Sequence, residues 1–324
     1  MEKVLGIGNA LVDIMIRLED DSFLEKFSLP KGSMQLVDQE TVRKISNASE
    51  KFEKSRSSGG SAANTIHGLA HLGVETGFIG KVGSDETGDF FHNDLKNSNI
   101  TPSLFRSSTE SGRAMALVSP DSERTFATFL GAAVELNPSE LSREMFEGYR
   151  YLHVEGYLVQ NHELLKEIVT LAKKSNMKIS LDLASFNVVE DNLDFLKPLV
   201  ADYIDIIFAN EEEAASFTGK SPEESLEELA EICETAVVKV GKKGSMVKSG
   251  KEKCNIEPID ASPVDTTGAG DAYAAGFLYG LAKGYEMDRC GNIGSVLAGK
   301  VIEGMGAKMG NEKWEEAKKM IAEL

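Results

Sequence analysis

"DTTGAGDAYAAGFLYGLAKG", residues Asp265–Gly284, opens on two glycines and an acid and continues in small or apolar residues. The second part reads as a helix buried on nearly every side. The first part is a flexible, charged turn where that helix begins. Gly268 and Gly270 let backbone N–H groups at a helix start face one point, and such a turn binds an anion without needing a lysine. Asp271 has two readings. It is an N-cap, or it is a general base that takes a proton from a hydroxyl attacking phosphorus. The GxGD pattern alone favours the cap.

Outward from this turn, the chain alternates. From Pro138 on, "YRYLHVEG", "MKISLDL", "IDIIFAN" and "TAVVKVG" are short apolar strands, separated by amphipathic stretches such as "HELLKEIVTLAKK" and "SPEESLEELAEI". Strand and helix in turn predict a mostly parallel sheet with helices on both faces. Two helices, about 270–282 and 287–304, end the domain. Near the N-terminus, "KVLGIGNALVDIMIRL" reads as two strands broken at Gly8-Asn9, and Ser61–Leu72 as a helix stopped by Gly73. A further helix starts at an Asp85 cap. Between 103 and 130 the character changes. "SLFRSS", "GRAMALVS" and "RTFATFL" are strand-like and joined by the turn "SPDSE", which predicts a small antiparallel patch. No low-complexity linker or repeat appears, so residues 1–324 are expected to form a single domain carrying a small β insertion.

Composition excludes several classes. The 324 residues carry a net charge of −17, without a dense basic run. Nucleic acid and anionic membranes are therefore poor partners. Cys233, Cys254 and Cys290 are far apart, and His67 and His71 lack an HExxH context, so no structural zinc or disulfide framework is predicted. Asp13 interrupts the apolar N-terminus and no run is long enough to span a bilayer, which predicts a soluble, cytoplasmic protein. Two motifs mislead. "GIGNAL" has Leu11 in place of the third glycine of a dinucleotide fingerprint and runs into a strand. "TGKS" at 218–221 has Ala214 where a P-loop needs glycine, and reads as a helix end followed by a new N-cap.

Two long motifs occur in order: "GGSAANTIHGLAHLG" with "TGFIGKVGSDETG" (Gly59–Gly88), and "DTTGAGDAYAAGF" (Asp265–Phe277). Together they resemble the PfkB, or ribokinase-like, carbohydrate and nucleoside kinases along nearly the whole chain. The resemblance implies a three-layer α/β/α fold with a mostly parallel central sheet. It also implies a small β-sheet lid, built from insertions at about 12–40 and 101–130. It implies ATP and Mg2+ as cofactors. The backbone of Gly268, Ala269, Gly270 and Asp271 would form an anion hole, with Asp271 the base. Asp265 and Thr267 match the segment that holds a monovalent cation such as K+ in some members. "NEEE" matches the family's NxxE, so Asn210 and Glu213 would organise magnesium and phosphates through water; by itself the stretch reads as a capped helix with acids in its first turn. Gly241 and Gly244 in "KVGKKG" would let the backbone approach ATP. Lys239 stands where the family often has threonine, and no role is assigned to it.

At the acceptor end the resemblance implies that Asp13 accepts hydrogen bonds from sugar hydroxyls, that Gly59 and Gly60 allow close approach, and that Asn64 supplies a donor and an acceptor. "GIGNALVDI", "FLEKFSL", "MQLVD" and "YLHVEGYLV" are most similar to adenosine kinases within the family. Met34, Leu36 and Phe129 are candidates for a purine wall, or else lid core. Arg113 and Arg124 either face a phosphate or lie on the surface. The expected activity is phosphoryl transfer from ATP to a primary hydroxyl, the 5′-hydroxyl of adenosine. The alternatives are a sugar kinase for ribose or fructose, a phosphosugar kinase with a basic acceptor pocket, and a non-catalytic nucleoside-binding protein. Family members occur as monomers or as homodimers paired at the lid edge.

Overall fold

The computed structural model describes residues 1–121 and 123–324. Its strands are β1 (Val4–Ile7), β2 (Leu11–Arg17), β3 (Met34–Leu36), β4 (Lys54–Gly59), β5 (Thr76–Gly83), β6 (Ile100–Ser107), β7 (Gly112–Val118), β8 (Arg124–Phe129), β9 (Tyr151–Glu155), β10 (Lys178–Asp182), β11 (Ile206–Asn210), β12 (Thr235–Lys239), β13 (Ser245–Ser249) and β14 (Glu252–Ile256). Among the described residues they form two sheets. The larger has nine strands in the order β14-β13-β12-β11-β10-β9-β1-β5-β6. It is parallel from β6 to β12, with β13 and β14 added antiparallel. Successive side chains of a strand point to opposite faces, and both faces here are apolar. Val4 and Phe208 pack with Ile66 and Phe277 on one side. Leu5, Ile7 and Ile207 pack with Leu165 and Ile168 on the other. Helices thus cover both faces, the three-layer arrangement expected.

On the first face, helix Ala269–Lys283 lies between helices Ser61–His71 and Met287–Val301. Its shortage of large side chains is explained by packing. A methyl group at Gly68 would stand 2.6 Å from Ala275 Cβ, so the first two helices touch nearly backbone to backbone. "TGKS" is the predicted helix junction: Gly219 ends Glu211–Thr218 in the left-handed region, and Ser221 caps Pro222–Ile232. "GIGNAL" leads from β1 directly into β2.

The smaller sheet has the order β3-β8-β7-β2-β4. It departs from the expected insertion boundaries of 12–40 and 101–130 in two places. Residues 100–107 do not join it; they pair in parallel with β5 as the edge of the large sheet. Residues 54–59 do join it, antiparallel to β2. The sheet is also mixed, because β2 runs parallel to β7 and β3 parallel to β8. Of the antiparallel patch predicted at 103–130, the hairpin of β7 and β8 is present; within its turn, 119–123, Ser122 lies outside the described residues. Among the described residues, no helix is long and apolar enough to cross a membrane.

Candidate active site

Four neighbouring parallel strands, β9 to β12, end on polar residues: Glu155, Asp182, Asn210 and Lys239. Glu155 is in register with Asp182, and Asn210 with Lys239. The carboxyl ends of parallel strands are where open α/β sheets place their ligands. The start of helix Ala269–Lys283 lies at the same edge. Gly268 is its N-cap at φ 75°, a left-handed conformation that a side chain would disfavour. Asp271 is therefore the third helical residue and not the cap. Its carboxylate makes no capping bond. Oδ1 accepts from Ser61 Oγ at 2.7 Å and Oδ2 from Asn64 Nδ2 at 2.9 Å. Burial pushes the Asp271 carboxyl up to about 6, against the pull of Asn64 and Ser61.

The acceptor-side residues come from the small sheet and from helix Ser61–His71. Asp13 on β2 lies across from β4, its carboxylate against Gly59, where any Cβ would collide with it. Gly60, at φ 95°, passes so close to the Asn9 carbonyl that a side chain is excluded there too. Burial raises the Asp13 carboxyl to about 7, offset by Lys308 and reinforced by Asp271. Asn64 Oδ1 is buried and has no partner among the described residues, an open acceptor beside Asp271. Lys308 Nζ bonds Ser58 Oγ at 2.7 Å, His67 Nε2 at 3.0 Å and Asp94 Oδ2 at 3.0 Å, tying β4 to two helices behind Asp13.

Asn210 and Glu213 form a full capping box. Glu213 N donates to Asn210 Oδ1, and the Glu213 carboxylate accepts from Asn210 N and Nδ2, each at 2.7–2.8 Å. The box also places the Glu213 carboxylate near Asp182 and Lys239; burial, then Asp182, lifts it to about 7. Gly241 and Gly244 flank the short turn after β12. Among the described residues, no three metal-ligating side chains converge. The hard carboxylates of Asp182 and Glu213 suit magnesium, an ion that keeps several waters and is completed by substrate phosphates.

Asp265 and Thr267 were expected in a segment that holds a monovalent cation in some family members. The Asp265 carboxylate carries the Arg124 guanidinium on both oxygens and accepts from Thr267 N at 2.8 Å and Gly306 N at 2.6 Å. Burial acts to raise the Asp265 carboxyl, but Arg124 and these N–H groups outweigh it and hold the group below its usual range. Arg124 is thus neither surface-exposed nor free. Arg113 likewise pairs with Glu110 at 2.7 Å.

Sequence reasoning passed over Glu155, Asp182 and Lys308. Glu155 is buried and accepts from Asn9 N at 2.9 Å, Asn9 Nδ2 at 2.6 Å and Ala62 N at 3.1 Å. Burial carries it to about 7 against those bonds. The available signal was a polar residue closing an apolar strand, as in "YLHVE" and "KISLD". Raised carboxyl groups gathered at one sheet edge mark a site where charge is handled.

A turn of backbone N–H groups, a buried carboxylate beside it and polar residues at the strand ends stand together at the carboxyl edge of an open α/β sheet. A family model described as pfkB family carbohydrate kinase matches residues 34–314. The chain belongs to this family and is an ATP-dependent kinase. It is similar to the solved structure of an adenosine kinase from Sinorhizobium meliloti, with 32% identity, TM-score 0.86, and 98% of this chain and 99% of that one covered. It is equally similar to a probable sugar kinase from Rhizobium etli, with 32% identity, TM-score 0.86 and 98% of each chain. A nucleoside kinase from Methanocaldococcus jannaschii is 28% identical over 98% of this chain and 95% of its own length.

Proposed function

We propose that the acceptor is a nucleoside, and that the 5′-hydroxyl of adenosine receives the γ-phosphoryl group of ATP. The observation that carries this is the open face of the small sheet. Residues in register across a sheet share a face. Asp13, Ala114, Thr128 and Leu36 form one such row, and Met15, Ala116, Phe126 and Met34 the next. A carboxylate for ribose hydroxyls is thus followed, across three strand spacings of roughly 5 Å each, by small residues and then by apolar ones. Met34 and Leu36 are 58% and 62% exposed. A bare sugar leaves that apolar surface wet, whereas a purine covers it. Phe129, the third residue expected in this wall, is in register with Arg113 and so lies on the opposite face; Phe126 takes its place.

In this reading Asp13 and Asn64 hold the ribose. Asp271 accepts the proton of the 5′-hydroxyl as that oxygen bonds to phosphorus and the bond from phosphorus to the leaving ADP oxygen breaks. The N–H groups of Gly268 to Asp271 stabilise the transferring charge. Asn210, Glu213 and Asp182 would hold magnesium, which neutralises phosphate charge when bound. The S. meliloti and M. jannaschii relatives support a nucleoside acceptor. ADP formation from Mg-ATP, measured separately with adenosine, other nucleosides, ribose, fructose and phosphorylated sugars, tests it. Selective turnover of adenosine is the expected result. Turnover of a sugar alone overturns the acceptor assignment and leaves the kinase chemistry intact.

A further inference from the structure

Lys239 closes β12 and carries a positive charge to the start of a helix. Its side chain is 16% exposed and Nζ donates to Asp182 Oδ2 at 2.9 Å. A methyl group added at Gly270 would come within 3.1 Å of that ammonium. The charge therefore sits over the first turn of helix Ala269–Lys283, whose N-terminus already carries the positive pole of the helix dipole. Cations there are unfavourable; anions are favoured. Asp182 takes the ammonium directly, and Glu213 and Asp271 lie near enough to favour its charge. One Asp182 oxygen takes the lysine, while the other accepts from Ala184 N at 2.9 Å, which fixes the carboxylate. The lysine is thereby held still and turned toward the helix start.

We infer that Lys239 is a further catalytic residue, whose ammonium touches the transferring phosphoryl group of the triphosphate opposite the N–H groups of Gly268–Asp271, with Asp182 positioning it. The inference rests on the phosphoryl-transfer reading of that turn. Negative charge gathers on the oxygen bridging the β- and γ-phosphates as its bond to the γ-phosphorus breaks, and the ammonium balances that charge without losing a proton. The acceptor's proton goes to Asp271. A fixed ammonium in a water-poor site acts on developing charge without reorganisation, which a threonine hydroxyl at this position could not match in charge.

The 324-residue protein is assayed with Mg-ATP and the best acceptor of the panel above, and its affinity for inorganic tripolyphosphate is measured by calorimetry. Lys239→Met is expected to lower kcat about 100-fold, leave the acceptor KM nearly unchanged, and weaken tripolyphosphate about tenfold or more. Lys239→Arg is expected to restore most of both. If Lys239→Met leaves kcat and tripolyphosphate affinity at wild-type values, the inference is overturned and the kinase reading stands. If Asp271→Asn turns over like wild type while Lys239→Met loses tripolyphosphate, the reading of the turn falls and the Lys239 contact survives. If Lys239→Met does not melt cooperatively, Lys239→Gln, which keeps a donor for Asp182 and removes the charge, decides: a lowered kcat with an unchanged melting temperature supports the ammonium, and an unchanged kcat refutes it.

Discussion

At the scale of the residue, Asp271 is set apart from an ordinary helix acid by its bonds. A carboxylate serving as a cap would turn back to its own helix; this one faces Ser61 and Asn64, more than 200 positions away in the chain. Asp271→Asn keeps the shape and removes the basicity, so kcat is expected to fall by about 100-fold or more with the melting temperature little changed. In the proposed role Asp271 works ionised, and its carboxyl lies at about 6. Below that pH kcat is expected to fall about tenfold per unit, and the acid limb should be absent from the residual activity of Asp271→Asn. Glu155 gives a second test, on stability. Its folded value of about 7 lies above the ordinary 4.5, so the folded chain binds the extra proton between them and loses stability as pH rises through that window. Glu155→Gln does not titrate. Relative to wild type it should therefore gain roughly 2 kcal/mol between pH 5.5 and pH 8, read from denaturant unfolding at the two pH values.

At the scale of the element, the distance between two helices sets the Asp271 carboxylate in place. Ser61 and Asn64 reach Asp271 because Gly68 lies against Ala275. Gly68→Ala inserts a methyl group into that contact and should cost about 1–3 kcal/mol, with a fall in kcat as the Asp271 bonds lengthen. Adding Ala275→Gly makes room again and should recover much of both losses, a coupling that a double-mutant cycle measures. The turn at 265–271 and the run from Gly59 to Asn64 were legible in the sequence because each is a continuous string. The closing residues of β9, β10 and β12 were not. Their proximity follows from the order of strands in the sheet, which no local pattern encodes. The strand Lys54–Gly59 was hidden for another reason. "KSRSSG" has no apolar alternation, as suits an edge strand whose outer side faces water.

At the scale of the whole molecule, the Arg124–Asp265 pair joins the small sheet to the loop that leads into the Gly268 turn. Asp265 is 0% and Arg124 15% exposed at the side chain, so removing one partner strands a buried charge. Arg124→Met should destabilise the protein by about 3–5 kcal/mol, and Asp265→Asn in the same chain should return part of it. Because a guanidinium already balances Asp265, turnover is expected to be equal in potassium and sodium buffers of matched ionic strength. The sequence matched Asp265 to a cation-holding segment and left Arg124 facing a phosphate or on the surface; it could not show that they meet, since they lie 141 positions apart, one on β8 and one in the loop before Gly268.

The two sheets also divide the molecule's labour. The groups proposed for phosphoryl transfer stand on the large sheet and its helices, while the residues proposed to meet the nucleobase stand on one face of the small one. Met34 and Leu36, on a three-residue edge strand paired on one side only, bear almost no structural duty. Substrate range can therefore drift by exchange of a few side chains on that face while the chemistry is inherited unchanged. A chain of this build is a chassis on which new acceptors can be tried one at a time.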